Sequence, residues 1–345
     1  MIWLTWRQFR AQAWVALAVL AIAAMALVVT GPNLARMFDA SGIAGCVARG
    51  DCGSLTTAFG YQVGHDAPDN VLNHLSPWAL FAVPGLIGMF WGAPLVTREL
   101  EAGTFRMVWN QSVTPARWLA VKLALIGLAS MATAGLLSLA FFWWSSPIER
   151  VSMQRMTPGT FGATGIVPAA YAAFAFAFGV TAGILIRRTL AAMAITLAGT
   201  VGAQAFMALW LRARLIAPVR AVVPLSHAVL SQFGVSRRTG SFVVYTGGNN
   251  PQGIPGAWIL SGPQTITTPD HTASAACLQG LQRLGNGPGT PQACIASLVR
   301  LHLTQTVSYQ PLSRYWTLQW YETGILLAVA FALAAFCLWR VARRG

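Results

Sequence analysis

Long apolar segments alternate with short polar ones along this chain, and the pattern predicts a bundle of membrane-spanning helices. Each apolar segment is close to the ~20 residues that a helix needs to cross ~30 Å of hydrocarbon at 1.5 Å per residue. None of them contains an acidic or basic residue except Glu322, which lies at the edge of the last segment. The six predicted spans cover residues 13–30, 76–96, 123–144, 166–186, 189–211 and 321–339.

The polar parts of the sequence divide the chain into four predicted regions. The N-terminal residues alternate Trp and Phe with Arg, which is typical of a short amphipathic helix in the membrane interface. The predicted fold class is an all-α polytopic membrane protein with a small disulfide-stapled α(+β) insertion before the last span. The regions are the interfacial helix 1–12, spans one to five at 13–211 with a polar loop at 97–122, the extracytoplasmic insertion 212–320, and span six with a basic tail at 321–345.

Local signals predict the structure of the insertion. Residues 215–235 are fairly apolar but contain two prolines and an arginine, so we expect a short helix or a re-entrant segment and not a seventh span. Residues 241–245 and 257–260 flank adjacent Gly and Asn pairs, which favours a β-hairpin. Two Thr-Pro pairs predict helix starts, giving helices over 269–284 and 291–306.

The overall charge and composition favour a membrane protein over a nucleic-acid-binding one. The chain is 55% hydrophobic and 9% charged, with a formal net charge of +14, whereas soluble domains carry about 25% charged residues. The basic residues are spread over many loops and not gathered on one face, so we predict that they set membrane orientation. Lys122 is the single lysine among 23 basic residues, which indicates a GC-rich genome.

The positive-inside rule assigns the two sides of the membrane. Eleven basic residues lie close to span ends, in short segments on one side, and we predict that this side is the cytoplasm and holds both termini. The predicted location is therefore a bacterial plasma membrane, crossed several times by the chain. The eleven residues are Arg7, Arg10, Arg98, Arg106, Arg117, Lys122, Arg187, Arg188, Arg340, Arg343 and Arg344.

Cysteine placement gives independent support for this orientation. Cys46 and Cys52 follow span one, and Cys277 and Cys294 lie in the insertion; both segments are predicted to be outside the cell, where disulfides persist. We therefore predict Cys46–Cys52 and Cys277–Cys294 bridges, with the second joining the two predicted helices of the insertion. Four free thiols are the alternative.

The polar segment after span two is the most informative one for function. It reads Arg98-Glu-Leu-Glu-Ala-Gly-Thr-Phe-Arg106 and is followed by Pro115 and Lys122. Physically it predicts a short amphipathic helix, which is marginal alone and needs a partner surface such as the membrane interface or another protein.

This segment resembles the permease subunits of ABC-2 type transporters, which carry a Glu-x-Glu-x-Gly-Thr pattern after their second span. The resemblance extends to the six-span layout, the tight turn between spans four and five, and an outside segment before span six. It implies that the loop at 97–122 is a coupling loop that docks on a separate ATPase subunit. The docking residues would be Glu99, Glu101, Gly103, Thr104 and Arg106.

The energy source is predicted to lie outside this chain. A phosphate-binding loop of the G-x-x-x-x-G-K type needs a lysine after glycine, and Lys122 follows Val121. This chain therefore cannot carry that ATP site, and its energy would come from another subunit or an ion gradient. The resemblance implies no cofactor in this chain, with ATP and Mg²⁺ bound by two copies of a cytoplasmic ABC ATPase. The resemblance also implies a homodimer of this chain in the bilayer, and export of an amphipathic or apolar substrate.

Some features of the sequence also fit other functions. Gln204, Ser130 and Thr133 are polar residues within the spans that could line a pathway or hydrogen-bond between helices, and Glu322 is interpreted as an interfacial anchor. The outside cluster around His65 and Asp66 has metal-ligand types, but we predict no metal site and no catalytic residue. The alternative function is an ABC-linked sensor or mechanotransmission protein, which acts outside the cell without transporting.

Overall fold

A computed structural model describes residues 2–46, 53–101, 114–224, 233–235, 242–244, 254, 256–261, 264–266 and 304–343. Within these residues, six helical segments are long and apolar enough to cross a membrane, in agreement with the six predicted spans. Most of them are longer than the apolar segments of the sequence. Spans one to six are Phe9–Ala40, Ala67–Arg98, Ala116–Trp144, Val167–Ile186, Thr189–Leu215 and Leu312–Ala342.

The helices are built from apolar runs that begin and end at polar or Pro-containing segments. Pro at the first turn of several of them is favourable, because that position needs no N–H donor. The described helices are α1 (Ile2–Ala40), α2 (Ile43–Cys46), α3 (Gly53–His65), α4 (Ala67–Ile87), α5 (Pro94–Glu101), α6 (Pro115–Trp144), α7 (Ser146–Ser152), α8 (Pro158–Ala163), α9 (Val167–Ile186), α10 (Thr189–Phe206), α11 (Arg212–Leu215) and α12 (Tyr315–Ala342).

Helix α1 runs without interruption from Ile2 to Ala40. The predicted interfacial segment 1–12 is therefore the first part of one long helix and not a separate element. At 1.5 Å per residue its 39 residues extend for roughly 58 Å, well beyond the ~30 Å of a hydrocarbon core. Phe9 packs edge-on against Trp91 with ring centroids 4.9 Å apart, which ties this first part to span two.

Spans two and four are in backbone contact through four glycines. A Cβ atom at Gly88 or Gly92 would lie 2.6 Å from a backbone oxygen of α9, and one at Gly179 would lie 2.5 Å from the oxygen of Gly88. A Cβ atom at Gly183 would likewise lie 2.8 Å from the backbone oxygen of Ala93. Small residues four apart let two membrane helices approach this closely.

Two spans contain a single turn of π-helix. One covers Gly88–Gly92 and joins α4 to α5, and the other covers Met207–Leu211 and joins α10 to α11. A π-turn inserts one residue into the helix and disturbs the regular ladder of backbone hydrogen bonds, and such turns are frequent at functional sites.

The chain divides into two compact units, and the larger one holds the spans. Its core contains several apolar clusters, among them one around Trp91, Ile126 and Phe176 and another around Leu34 and Phe141. These named residues come from spans one to four, so apolar side-chain packing joins those spans.

The smaller unit, Ser152–Thr157 with Ile216–Tyr315, contains two antiparallel three-stranded sheets in its described residues. The strands are β1 (Val219–Pro224), β2 (Phe233–Val235), β3 (Phe242–Val244), β4 (Trp258–Ile259), β5 (Gln264–Ile266) and β6 (Thr304–Gln310). One sheet has the order β1–β6–β4 and the other β2–β3–β5. The pair of β1 with β6 joins Val219 to Tyr309 and Pro224 to Thr304 at its two ends.

Several predictions for the insertion were wrong. The segment 215–235, expected as a short helix or re-entrant piece, contains strand β1, whose three valines favour a strand and which pairs with β6. Residues 241–245 and 257–260 do not form a hairpin with each other, since β3 and β4 belong to different sheets. The end of the predicted helix 291–306 is strand, while the rest of it and the helix 269–284 lie outside the described residues.

The structure gives no support for a disulfide-stapled insertion. Cys277 and Cys294 lie outside the described residues, so that bridge stays a prediction. Cys46 is disulfide-bonded, but its predicted partner Cys52 also lies outside them. Cys337, in span six, is a buried free thiol.

Candidate functional site

The predicted coupling segment begins at the end of α5, where Glu101 binds the start of span five. The Glu101 carboxylate accepts hydrogen bonds from the backbone N–H of Thr189 at 2.8 Å and from its hydroxyl at 2.7 Å. The Thr189 hydroxyl also lies 3.0 Å from that of Thr97, which donates to the oxygen of Ala93. A carboxylate at a helix N-terminus satisfies a backbone donor that the helix leaves unpaired and complements the helix dipole.

This contact has an electrostatic consequence. The two hydrogen bonds from Thr189 stabilise the charged carboxylate and hold the pKa of Glu101 below its ordinary value. Glu101 is exposed, so solvent screens the effect. The contact links the end of span two to the tight turn at Arg187, whose backbone is left-handed with φ of 56°.

The remainder of the predicted docking motif is only partly visible. Glu99 lies in α5, but its side chain is not described, and Gly103, Thr104 and Arg106 lie outside the described residues. On the far side of the loop, Lys122 lies inside α6, where its ammonium group is 4.1 Å from the ring centroid of Trp118. The role of this motif in docking therefore stays a prediction.

The three polar residues that we proposed for a pathway make intramolecular hydrogen bonds. Ser130 donates to the oxygen of Ile126 at 2.7 Å, and Thr133 donates within the same helix in the same way. Gln204 donates to the oxygen of Phe81 at 2.9 Å, which joins span five to span two. The structure thus gives these groups partners within the bundle, and a pathway role stays a prediction.

Sequence reasoning missed a buried ion pair that joins spans five and six. Arg212 and Glu322 are 1% and 0% exposed. The guanidinium donates from Nε to Glu322 Oε2 at 2.9 Å and from Nη2 to Oε1 at 3.1 Å, and Tyr171 donates to Oε1 at 2.7 Å. Such bidentate pairs are among the strongest polar contacts. The interpretation of Glu322 as an interfacial anchor was wrong, because its carboxylate is buried and paired.

The same cluster continues on both sides of the ion pair. Arg212 also donates to the oxygen of Pro158 at 3.2 Å and stacks on Phe161, with 4.1 Å between the guanidinium carbon and the ring centroid. Gln319, one turn before Glu322, donates to the oxygens of Phe161 and Thr164 and accepts from the N–H groups of residues 166 and 167. The buried polar cluster therefore joins spans four, five and six to helix α8.

A signal for this cluster was present in the sequence. Arg212 ends the apolar run of span five and Glu322 lies in the first part of span six. Neighbouring spans run in opposite directions, so the end of one lies beside the start of the next. Opposite charges at matching ends of neighbouring spans indicate an intramembrane pair, since an isolated charge there would be costly.

Within the described part of the chain, no group of three His, Cys, Asp or Glu residues could hold a metal ion. Asp66, which belongs to the outside cluster noted in the sequence, instead accepts a hydrogen bond from Asn33 at 3.0 Å.

A bundle of six apolar spans with a buried ion pair between two of them defines a polytopic membrane protein. Residues 17–212, more than half of the chain, match the family model described as "ABC-2 membrane transporter related". The chain belongs to this family, which confirms the resemblance to ABC-2 permeases seen in the sequence. No curated protein matches the chain, and no solved structure matches it.

Proposed function

We propose that this protein is the permease subunit of an ATP-driven ABC exporter. The observation that carries the proposal is its membership of the ABC-2 family over residues 17–212. Permeases of this family generally work with a separate ATPase subunit. Two copies of this chain would form the pathway and two ATPase subunits would bind at the coupling segment 97–122.

The contact between Glu101 and Thr189 supports this proposal. A displaced coupling segment would act directly on the N-terminus of span five, because Glu101 is bonded to its first residue. Closure of the two ATPase subunits on ATP would thus move the bundle without any covalent chemistry in this chain. The substrate class that we propose is amphipathic or apolar, and the direction is outward.

Co-purification from native membranes tests the proposal first. The expected result is a Walker-type ATPase recovered in equal copy number with this chain, together with ATP hydrolysis that candidate substrates stimulate. Recovery of the chain without any ATPase would contradict the proposal. ATP hydrolysis that never accompanies substrate movement would instead favour the mechanotransmission alternative.

A charge reversal tests the docking surface separately. Glu99→Lys should lower ATPase recovery by an order of magnitude or more, since docking surfaces depend on complementary charge. Asp39→Lys is the matched control, because Asp39 is exposed near the end of α1 that is predicted to be outside. Equal recovery with wild type and Glu99→Lys would reject this residue as a docking contact. We avoid reversing Glu101 here because that would also break its bonds to Thr189.

A further inference from the structure

An apolar cavity lies between span one and spans two and three, near the end that is predicted to be cytoplasmic. It has a volume of about 460 Å³ and an almost wholly apolar wall, which includes Val15, Val19 and Leu86. Ligand cavities in proteins have volumes of roughly 300–1,000 Å³. The wall along α1 runs from Ala11 to Val19, which is about 12 Å at 1.5 Å per residue and close to the depth of one leaflet.

Gln12, Thr133 and Arg98 are polar residues of the lining, and Arg98 is its charged residue. Gln12 donates to the backbone oxygen of Phe90, at 3.0 Å, in the π-helical turn of span two. This bond fixes α1 against span two at the mouth of the cavity. Thr133, the other polar lining residue, is already bonded to its own helix.

Arg98 is an exposed cation that pairs with none of the acidic side chains that the structure describes. Glu101, one turn further on, is bonded to Thr189 and does not line the cavity. A guanidinium group presents several donors that fit phosphate or carboxylate oxygens. The cytoplasmic leaflet supplies anionic headgroups at that level.

A second apolar cavity extends the first along α1. It has a volume of about 250 Å³ and shares Val19, Val83 and Leu137 with its neighbour. Ser76 is its only polar lining residue within the described chain. The two cavities together therefore suit a long apolar chain whose charged end is at Arg98.

We propose that this groove binds one anionic lipid of the cytoplasmic leaflet, with an acyl chain along Val15 and Val19 and its headgroup at Arg98. The groove is long and apolar and has a charge at one end only. These features fit an anionic lipid better than a second copy of the chain or a neutral lipid. The proposal requires neither an ATPase nor transport, so its failure would leave the proposed function standing.

Photolabelling of the full-length protein in nanodiscs tests the proposal. Trace phosphatidylglycerol or phosphatidylcholine would carry a diazirine on one acyl chain, and mass spectrometry would locate the labelled residues. We expect labels on the groove residues of α1 and span two, with about five-fold more labelling by phosphatidylglycerol, as one arginine near the surface would give. Equal labelling by the two lipids would overturn the proposal.

Two matched pairs of variants complete the test. Arg98→Gln should abolish the preference for phosphatidylglycerol, whereas Arg188→Gln, which removes another exposed arginine, should retain it. Val19→Trp should lower labelling by both lipids, whereas Leu17→Trp, on the same helix but outside the cavity lining, should not. Equal effects within either pair would overturn the proposal, as would crosslinks between two copies at Val19→Cys in place of lipid labelling.

Discussion

At the residue scale, the ion pair of Arg212 and Glu322, with Tyr171, joins the ends of three spans. Both side chains are buried, and Tyr171 completes the carboxylate's hydrogen bonds. Removing one partner of such a pair leaves an unpaired charge and typically costs 3–5 kcal/mol, whereas replacing both with apolar residues is often tolerated.

We expect Arg212→Met to destabilise the detergent-solubilised protein by about 3–5 kcal/mol, because Glu322 would be left buried without its partner. The double variant with Glu322→Leu should recover most of this loss. Arg214→Met is the matched control, since Arg214 is exposed two residues away. Thermal unfolding measures all three, and equal losses for Arg212→Met and Arg214→Met would contradict the expectation.

Glu101 makes a pH-dependent contribution to the stability of the folded chain. Its pKa is lowered in the folded chain by Thr189, so the stabilisation is complete above the ordinary glutamate pKa and is lost as the pH falls through the lowered value. We expect the stability difference between wild type and Glu101→Gln to be constant near neutral pH and to shrink below about pH 4.3. Thermal unfolding at several pH values measures it, with Asp39→Asn as the control; a difference that grows in acid would contradict the assignment.

At the element scale, close contact between spans two and four depends on glycine. Gly179 faces the backbone oxygen of Gly88, and a methyl group there would meet backbone, which cannot give way as a flexible side chain can. The packing of these helices therefore tolerates no side chain at this position.

We expect Gly179→Ala to destabilise the bundle by about 1–3 kcal/mol, the usual range for an overpacked core. Gly202→Ala is the matched control, because nothing lies within 4 Å of a Cβ at that helical position, and alanine there should be neutral or slightly stabilising. Thermal unfolding of the two variants compares them, and equal stability of both with wild type would reject the close contact as a determinant of packing.

The number of spans could be predicted from the sequence because each apolar run is long and uninterrupted, whereas the elements outside them could not. Spans were predicted too short because charged residues such as Lys122 and Arg212 were assumed to lie in loops. They lie instead in helices, where Trp118 and Glu322 provide partners. Strand β1 was missed because its partner residues in β6 are 80 to 90 positions away, and single-sequence patterns do not reveal non-local pairing.

At the scale of the whole molecule, the orientation in the membrane follows from the charge pattern and stays a prediction. Variants with one added cysteine can test it, because Asp39 and Arg188 lie near opposite ends of their spans and both are exposed. In intact cells a membrane-impermeant maleimide should label Asp39→Cys, whereas Arg188→Cys should react only after permeabilisation. The unsubstituted chain measures background labelling. The reverse pattern would invert the topology.

The hydrogen bonds between Glu101 and Thr189 join the end of span two to the start of span five. Glycine contacts with span four and this carboxylate therefore hold the Arg98 end of span two against two other spans. Thr189 and Arg212 lie on the same span, about 35 Å apart for 23 residues at 1.5 Å each. We expect a force applied at Glu101 to be transmitted along span five toward the Glu322 cluster, so the two contacts should respond to the same displacement.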